Sequence, residues 1–429
     1  MTKTKFFLSL LLLGQTLMAA TIDSVKVNGI SVPFIYEKEA RLPLTTSQII
    51  FTNSGSIKNT QIPGLAHFSA KLLNDGTKKL GSNAFAEELE SKAISISAHA
   101  GTETFVLEVS GLKEEYAQGM SYLEELLQDP NYSLESVSKI KTMTLGSLSR
   151  KENDFDYTAS NELKNLLFEG GVLGQPSLGT KSSIERIQLS DVQSFIKNNL
   201  VISKAIVVVG GDIDVKEVKK RVKQLLSLLP EGKKEEVAHF DIREKPTTNV
   251  LKRETEQAYI YFGSPYDIRE NSEDYYKARV ATFILGTGGF GSRLMEEIRV
   301  KRGLAYSAYA NVNVTKSSNY LTGYLQTKLD SMDEAKKTVK DVIAKFVKDG
   351  VTKEELEQTK KFLLGSEPLR VETMNQRLNR TFLEYYKGFE LGHSDAELAK
   401  IKSLKLKDLN AFIKEHKEIL ELSFAIVTK

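Results

Sequence analysis

The sequence predicts an α+β fold of two homologous units, each a mainly antiparallel sheet with helices on one face. Three observations lead to this fold class. The chain has 429 residues, two to three times the length of a typical domain. Short segments recur in the same order about 210 to 220 residues apart. Helical and strand periodicities alternate within each half of the chain.

The internal repeat rests on four pairs of similar segments. The pairs are residues 87–89 with 296–298, 145–147 with 364–366, 191–197 with 408–414, and 205–207 with 425–427. Each match alone is at the level of chance. Four matches in the same order indicate a duplicated unit of roughly 200 residues.

The first element along the chain is a signal peptide predicted at residues 1–20. Two lysines precede an apolar run at residues 6–13, and the small residues Ala19 and Ala20 follow. The run is too short to span a bilayer comfortably, which disfavours the alternative of a membrane anchor. We therefore expect a periplasmic or otherwise exported protein, cleaved after Ala19 or Ala20, with no membrane span after cleavage.

The remaining chain is predicted to divide at a polar connector. We expect an N-terminal domain at residues 21–230, a linker at residues 231–248 and a C-terminal domain at residues 249–429. The segment from residue 229 to residue 246 is charged and contains proline and glycine, a composition typical of an exposed linker.

Individual helices and strands follow from the spacing of apolar residues. Residues 116–127 and 335–347 repeat apolar side chains at helical spacing. Residues 93–97 and 104–109 alternate as strands do. Residues 204–209 form a continuous apolar run that suits a central strand.

Composition and charge exclude several classes of function. The absence of cysteine excludes disulfides, thiolate metal sites and cysteine nucleophiles. Five histidines leave few ways to build a metal site. The formal net charge of +3 is too small to indicate a nucleic-acid-binding protein.

The glycine-rich segment at residues 285–291 contains the string G-x-G-x-x-G. A dinucleotide site requires a strand directly before such a string and a helix directly after it. Here residues 275–285 have helical spacing instead. We therefore interpret the glycines as the end of one helix and a turn into the next, at residues 293–299.

Residues 63–77 read Pro-Gly-Leu-Ala-His-Phe-Ser-Ala-Lys-Leu-Leu-Asn-Asp-Gly-Thr. This segment resembles the zinc-binding helix of the M16 (pitrilysin, or inverzincin) metallopeptidases, whose pattern is H-x-x-E-H before a Gly-Thr turn. Two histidines one helical turn apart bind zinc, and the glutamate polarises the zinc-bound water. The resemblance also implies a third ligand, a glutamate about 75 to 78 residues further along.

Only the frame of that zinc site is present in this sequence. His67 occupies the first ligand position, Ala70 replaces the glutamate, and Lys71 replaces the second histidine. The window for the third ligand, residues 141–150, contains no carboxylate. A single imidazole beside an ammonium lacks the ligands and negative charge that zinc needs, and no general base remains. We expect this chain to bind no metal and no other cofactor, with His67 a residual helix residue.

Residues 292–307 read Ser-Arg-Leu-Met-Glu-Glu-Ile-Arg-Val-Lys-Arg-Gly-Leu-Ala-Tyr-Ser. This string resembles the C-terminal signature of the same family, in which an arginine is followed seven residues later by a tyrosine, here Arg299 and Tyr306. The resemblance implies that the pair reaches a zinc site and holds the substrate carbonyl, as hydrogen-bond donors can. We expect Arg299 to end a helix, Gly303 to allow a turn and Tyr306 to begin a strand. The alternative is a surface helix with a charge pair and a strand aromatic.

Residues 173–180 are similar to a loop that follows the third-ligand helix in the family, so the resemblance covers about residues 22–429. It implies an M16 peptidase-like (LuxS/MPP-like) duplication, M16B-like in type, that encloses a chamber. The family includes paired enzymes in which one subunit carries zinc and the other supplies the Arg/Tyr pair.

The mixture of a lost zinc motif and a retained Arg/Tyr pair leads to a functional hypothesis. The chain is expected to be the non-catalytic, substrate-positioning subunit of an exported M16B-type heterodimer that hydrolyses peptides. Its partner would carry H-x-x-E-H and zinc, and this chain, inactive alone, would contribute Arg299 and Tyr306 in trans. The strand around residues 98–102 follows the segment that, in catalytic relatives, offers an edge for pairing with an extended peptide, and whether this chain binds peptide there is left open by the sequence.

Two alternatives remain open from the sequence. The chain could be a non-enzymatic peptide-binding or assembly scaffold of the cell envelope, in which the Arg/Tyr string serves packing. It could also be a self-sufficient protease, which needs a zinc site that these residues do not supply.

Overall fold

A computed structural model describes residues 20–429. The predicted signal peptide, up to Ala19, lies outside the described residues. Within them, no helix is both long and apolar enough to cross a membrane.

The strands of the described residues form two sheets. The strands are β1 (Thr21–Val27), β2 (Ile30–Lys38), β3 (Leu44–Thr52), β4 (Ser95–Ala100), β5 (Thr104–Leu112), β6 (Ala205–Gly211), β7 (Thr248–Lys252), β8 (Gln257–Pro265), β9 (Ala305–Val314), β10 (Asn319–Lys328) and β11 (Ser423–Thr428). The first sheet has the order β1-β2-β6-β3-β5-β4 and the second the order β7-β11-β8-β10-β9.

The two sheets share one topology. In each, the last strand of the half returns to the middle: β6 pairs parallel with β2 and antiparallel with β3. Likewise β11 pairs parallel with β7 and antiparallel with β8. All other pairs are antiparallel, and β1 is the one addition to the common pattern. The predicted fold of two homologous, mainly antiparallel α+β units is confirmed.

Helices fill the connections between these strands. The α-helices are α1 (Leu65–Leu73), α2 (Gly81–Ser91), α3 (Tyr116–Gln128), α4 (Leu134–Lys151), α5 (Phe155–Leu167), α6 (Lys181–Arg186), α7 (Leu189–Asn199), α8 (Val215–Leu226), α9 (Tyr275–Thr282), α10 (Arg293–Met295), α11 (Met332–Asp349), α12 (Lys353–Gly365), α13 (Met374–Lys387), α14 (His393–Ser403) and α15 (Leu406–Glu415). Two π-helical turns continue α9 and α10, at Phe283–Thr287 and Glu296–Val300. Short 3₁₀ helices lie at Ser56–Lys58, Lys113–Glu115, Ile202–Lys204, Leu329–Ser331, Glu367–Arg370 and Lys417–Leu420.

Most elements expected from periodicity lie where they were predicted. The helices expected at residues 116–127 and 335–347 are α3 and α11, and the buried run at residues 204–209 is the central strand β6. The strand expected at residues 93–97 instead begins at Ser95. Ala93 adopts a positive φ of 51° and ends helix α2, since the N–H of Ile94 bonds back to the carbonyl of Leu89.

Each sheet packs one face against helices of its own half, which forms the two main cores. The other face is covered by a helix from the opposite half. Helix α13 packs on β2 and β6, with Leu378 and Phe382 against Ile35 and Ile206. Helix α5 packs on β8 and β11 in the same manner. This exchange, which the sequence did not predict, joins the halves into one body.

The segment between the halves is held along the surface. Residues 230–247 contain no helix or strand. Asn53 donates to the carbonyl of Glu236 at 3.2 Å, and the N–H of Phe240 donates to the carbonyl of Ser317 at 2.8 Å. The connector thus contacts both halves, while the domain borders at residues 230 and 248 stay predictions.

The close packing of β10 leads to a stability prediction. A Cβ at Gly323 would collide with the ring of Phe262, which is fully buried, and with the carbonyl oxygen of Tyr309. Gly323→Ala should therefore destabilise the fold by about 1–3 kcal/mol, because a packed core cannot yield to an added methyl group. Chemical denaturation measures this loss.

Gly365 offers a matched control for that measurement. It lies at the end of helix α12, where an added Cβ meets nothing within 4 Å. Gly365→Ala should leave stability unchanged or raise it by about 0.5–1 kcal/mol. Equal stability of the two variants would contradict the packing argument.

Candidate functional site

Helix α1 carries the residues of the predicted zinc motif and contacts β4, α4 and α7. Its inner face buries Ala66, Phe68 and Leu72. The side-chain oxygen of Asn59 accepts a hydrogen bond from the N–H of Ala66 at 2.9 Å, which fixes the first turn. The helix is therefore rigidly placed between a sheet edge and α4.

Lys71 links helix α1 to helix α4 by a hydrogen bond. Its Nζ donates to Oγ1 of Thr144 at 3.1 Å, and Thr144 on α4 lies inside the window where a third ligand was sought. Burial lowers the pKa of the Lys71 amine. Burial and then the charge of Lys71 lower the pKa of His67, so the imidazole is neutral at pH 7.

The donor set at this place does not fit zinc. Ala70 is buried and carries no donor, and Lys71 directs its amine at Thr144. Nδ1 of His67 is buried without a hydrogen-bond partner. Across residues 20–429, no group of three or more His, Asp or Glu side chains could hold a metal ion. The hydrogen bond from Lys71 on α1 to Thr144 on α4 occupies the place where the family motif would have zinc ligands.

Strand β4 forms the edge of the first sheet, next to the segment where an edge for peptide pairing was expected. The side-chain amide of Asn74 closes this edge at Ala98. Nδ2 donates to the carbonyl of Ala98 at 2.8 Å, and Oδ1 accepts from its N–H at 2.6 Å. A peptide strand would have to displace Asn74 to pair with Ala98.

Arg299 lies in the π-helical turn that continues α10. The N–H of Lys301 bonds to the carbonyl of Glu296, five residues back, at 2.9 Å, which widens the turn. Gly303 then turns the chain with a φ of 62°, and β9 begins at Ala305. The predicted helix end, glycine turn and strand start are confirmed.

The guanidinium of Arg299 contacts two aromatic rings. Its Cζ lies 4.2 Å from the ring centroid of Tyr306 and 4.6 Å from that of Phe290. Tyr306 is 81% exposed and Phe290 is 69% exposed. Cation–π attraction therefore holds the guanidinium at the surface against both rings.

The N–H donors of Arg299 are available to an external acceptor. In the part of the chain that the structure describes, the guanidinium of Arg299 makes no hydrogen bond or ion pair with other protein groups. The neighbouring carboxylate of Glu297 is taken up by Lys301 at 2.6 Å and Arg302 at 3.6 Å. A carbonyl or carboxylate oxygen of a ligand can accept from this guanidinium and from the Tyr306 hydroxyl.

Sequence reasoning missed Phe290. The G-x-G-x-x-G segment was interpreted as a helix end and turn, and helix α9 with its π-helical turn does precede it. An aromatic residue flanked by Gly289 and Gly291, just before the helix of Arg299, was the available signal.

The structure keeps the predicted site residues in two separate groups. His67, Lys71 and Thr144 lie together in the first half, and Arg299 and Tyr306 lie together in the second. Within residues 20–429, no hydrogen bond, ion pair or aromatic contact joins the groups. In the first group, Lys71 is hydrogen-bonded to Thr144. In the second group, the guanidinium N–H donors of Arg299 have no protein acceptor within the described residues.

Comparison with known proteins gives the family context of these two groups. Residues 43–181 match the family model described as insulinase (peptidase family M16). Residues 186–363 match the model described as the peptidase M16 inactive domain. The curated "non-peptidase homolog YmxG" of Helicobacter pylori is 42% identical over 426 residues, which cover 99% of this chain and 98% of that protein.

Solved structures show the same fold. The crystal structure of a peptidase M16 inactive domain from Pseudomonas fluorescens superimposes with a TM-score of 0.86 at 21% identity, covering 95% of this chain and 98% of that one. The periplasmic protease PqqL of Escherichia coli superimposes with a TM-score of 0.75 at 16% identity. The match covers 96% of this chain and 47% of PqqL, so the chain spans about half of that protease.

Proposed function

Since the chain belongs to the peptidase M16 family and resembles its non-peptidase members, we propose that it is the substrate-positioning subunit of an exported M16B-type zinc peptidase heterodimer. The partner subunit would bring H-x-x-E-H and zinc. This chain would bring Arg299 and Tyr306 to the composite site and bind no metal itself.

The contrast between the two site groups carries the proposal. In the first half, Ala70 stands where the motif needs a general base, and Lys71 is hydrogen-bonded to Thr144. Asn74 closes the sheet edge, so the strand is not open at Ala98. In the second half, Arg299 has unpaired donors beside the exposed Tyr306. Groups that are free, exposed and held by neighbouring rings suit a ligand supplied from outside.

The chemistry of the pair suits peptide hydrolysis. When a peptide carbonyl is attacked, negative charge develops on its oxygen, and donors already aimed at that oxygen stabilise the transition state more than the substrate. A guanidinium supplies a charge-assisted donor and a phenol supplies a neutral one. The aromatic contacts of Arg299 limit its motion, so little reorganisation is needed at the moment of reaction.

Export is the second part of the proposal. The predicted signal peptide at residues 1–20 and the periplasmic location in the name of PqqL both favour it. Detection of the mature chain, beginning near residue 20 or 21, in the periplasmic fraction is the expected result.

The role of the Arg/Tyr pair can be tested in the native complex. A tag on this chain should recover from the envelope fraction a partner of the same fold with H-x-x-E-H. In that complex, Arg299→Ala or Tyr306→Phe should lower peptide hydrolysis by about 10²-fold or more, as loss of an oxyanion donor does. Assembly, measured by size-exclusion chromatography, should be unchanged.

Arg302→Ala is the matched control for that experiment. Arg302 is exposed, lies three residues from Arg299 and pairs with Glu297, so its removal should leave hydrolysis unaffected. Full activity in both Arg299 and Tyr306 variants would refute the positioning role. Recovery of the chain without any peptidase subunit would favour the scaffold alternative.

A further inference from the structure

Glu103 is a buried carboxylate that joins the two halves of the chain. It lies in the turn between β4 and β5, in the first half, and its side chain accepts two hydrogen bonds from the second half. The N–H of Ser317 donates to Oε1 and the hydroxyl of Tyr386 donates to Oε2, both at 2.7 Å. Glu103 is only 8% exposed, and within residues 20–429 it forms no ion pair. Because a buried carboxylate is costly unless donors satisfy it, these two bonds constrain how the halves meet.

The first half fixes Glu103 through the backbone of its turn. The carbonyl oxygen of Glu103 accepts from the N–H of Ser54 at 3.0 Å. The carbonyls of residues 101–102 accept from the N–H groups of residues 56–57, at 2.8 Å and 2.9 Å. A Cβ at Gly55 would lie 2.3 Å from the nearer of these carbonyl oxygens, so the two segments are in close contact. The β4–β5 turn is therefore a rigid base for the carboxylate.

The second half presents its two donors from a closed turn and from helix α13. Ser317 lies in the turn at residues 315–318, which is closed by a hydrogen bond of 3.0 Å from the first N–H to the last carbonyl. The ring of Tyr386 stacks on that of Phe382, with centroids 5.6 Å apart. Burial and then the charge of Glu103 raise the pKa of Tyr386, so its hydroxyl keeps its proton and remains a donor.

The connector between the halves closes a ring of hydrogen bonds that includes Glu103. The N–H of Phe240 donates to the carbonyl of Ser317 at 2.8 Å, and Asn53 donates to the carbonyl of Glu236 at 3.2 Å. Asn53 directly precedes the residue that bonds to the Glu103 carbonyl. The ring thus runs from the first half through the connector and the β9–β10 turn and back to Glu103. In the described part of the chain, the hydrogen bonding between the β4–β5 and β9–β10 turns depends on this carboxylate.

We propose that Glu103 is a positioning residue that holds the hairpin of β9 and β10, and with it Tyr306, in one place relative to the first half. Strand β9 pairs with β10 from Ala305 to Val314, so the turn and the start of β9 move as one unit. A partner that contacts both halves then meets Arg299 and Tyr306 in one arrangement. The positioning does not depend on the proposed function, whereas its consequence for hydrolysis rests on it.

Distances between spin labels test the positioning on the full chain without a partner. The chain has no cysteine, so a pair such as Met143→Cys and Lys328→Cys can be labelled without background. Both positions are exposed, on α4 of the first half and at the end of β10. Glu103→Ala should broaden the distance distribution of this pair about twofold or more, because the hairpin loses its anchor and the halves can rotate. An unchanged width in this variant overturns the inference.

A second label pair and two further variants identify the cause. Met143→Cys with Lys216→Cys lies within the first half and should keep its distribution. Tyr386→Phe removes one donor and keeps the ring, so it should broaden the distribution between the halves less than Glu103→Ala does, and it decides the question if Glu103→Ala does not fold. Glu270 places another negative charge near Tyr386 but accepts no hydrogen bond within the described residues. Glu270→Gln should therefore have no effect, and broadening equal to that of Glu103→Ala would overturn the inference.

The consequence for hydrolysis is measured in the peptidase complex. Glu103→Ala should lower kcat for a peptide about tenfold or more and change KM less, because a misplaced donor stabilises the transition state poorly. Glu103→Gln keeps a carbonyl oxygen that can accept from Ser317, so it should restore most of kcat. A purely structural loss would instead reduce the amount of assembled complex, which size-exclusion chromatography measures.

These experiments separate this inference from the proposed function. If Arg299→Ala leaves hydrolysis intact while Glu103→Ala still broadens the distribution between the halves, the proposed function fails and the positioning stands. If Arg299→Ala abolishes hydrolysis but Glu103→Ala changes neither the distribution nor kcat, the proposed function stands and this inference fails.

Discussion

A chain carrying Ala70→Glu, Lys71→His and Thr144→Glu together is expected to bind about one zinc ion. The unaltered chain is expected to bind none. Positions 67 and 71 lie one turn apart on α1, where two imidazoles can share one ion. Thr144 is the α4 residue in hydrogen-bond contact with position 71, at 3.1 Å, so a carboxylate there has the best access to the same ion.

The expected gain in zinc affinity follows from the number and charge of the ligands. His67 with Lys71 offers one neutral donor beside a cation, for which zinc binding weaker than millimolar is expected. Three protein ligands with a net negative charge should bring the dissociation constant below about one micromolar, a gain of about 10³-fold or more, or about 4 kcal/mol. Metal analysis of the purified proteins and titration with a zinc indicator measure this difference.

Thr142→Glu in place of Thr144→Glu gives a matched control. Thr142 lies on the exposed side of α4, so this variant has the same charge but directs the carboxylate to solvent. It should bind zinc much more weakly. Equal zinc affinity of the two triple variants would show that α1 and α4 do not meet as described. Stoichiometric zinc in the unaltered chain would show that the prediction of a lost zinc site is wrong.

The repeat in the sequence was visible because both halves place the same kind of segment in the same structural role. Residues 191–197 and 408–414 belong to α7 and α15, which lead into the returning strands β6 and β11. Those strands are buried along their whole length, so their apolar character is dictated by the core. Patterns set by burial are the ones that sequence reasoning can recover.

The exchange of helices between the halves could not be predicted in this way. The apolar positions of α5 and α13 show that each helix buries one face, but not which sheet receives it. The partner surface is decided by the arrangement of the whole chain, with Leu163 and Leu378 packed in the opposite halves.

The sequence points to candidate site residues only where the identity of a residue at a known spacing marks them. Arg299, Tyr306 and the altered motif on α1 are of this kind. Thr144 and Asn74 were not found, because their roles depend on a side chain reaching a neighbouring element. Phe290 was missed for the same reason, since its contact with Arg299 exists only after the loop folds back on β9.

Replacing Arg377 with methionine should lower the free energy of unfolding by about 3–5 kcal/mol above neutral pH. Arg377 on α13 binds Oε1 of Glu37 on β2 at 2.6 Å, and Glu37 is only 2% exposed. It also reaches Glu39 at 3.1 Å. Removing the guanidinium leaves a carboxylate buried between the halves without its counter-charge, which is among the costliest single changes in a folded protein.

The destabilisation caused by Arg377→Met should depend on pH, and the pKa of Glu37 decides whether it grows or shrinks as the pH rises. Burial already raises the pKa of Glu37 despite the opposing effect of Arg377. A carboxyl with a raised folded-state pKa binds more protons folded than unfolded, so the stability it confers is complete at acidic pH and is lost as pH rises through that pKa. Without Arg377 the pKa rises further, so Arg377→Met and wild type should differ least near pH 4 and most above pH 7.

Denaturation at several pH values measures the profile, and two further variants test its cause. Glu37→Gln combined with Arg377→Met should regain much of the loss at pH 8, because the buried charge is gone. Arg41→Met should cost at most about 1 kcal/mol, since Arg41 pairs with Glu39 from a side chain that is 72% exposed. The explanation by buried charge fails if Arg377→Met loses the same free energy of unfolding at pH 4 and pH 8 and if Glu37→Gln does not relieve that loss. The cost would then come from packing rather than from the charge pair that links α13 to the first sheet.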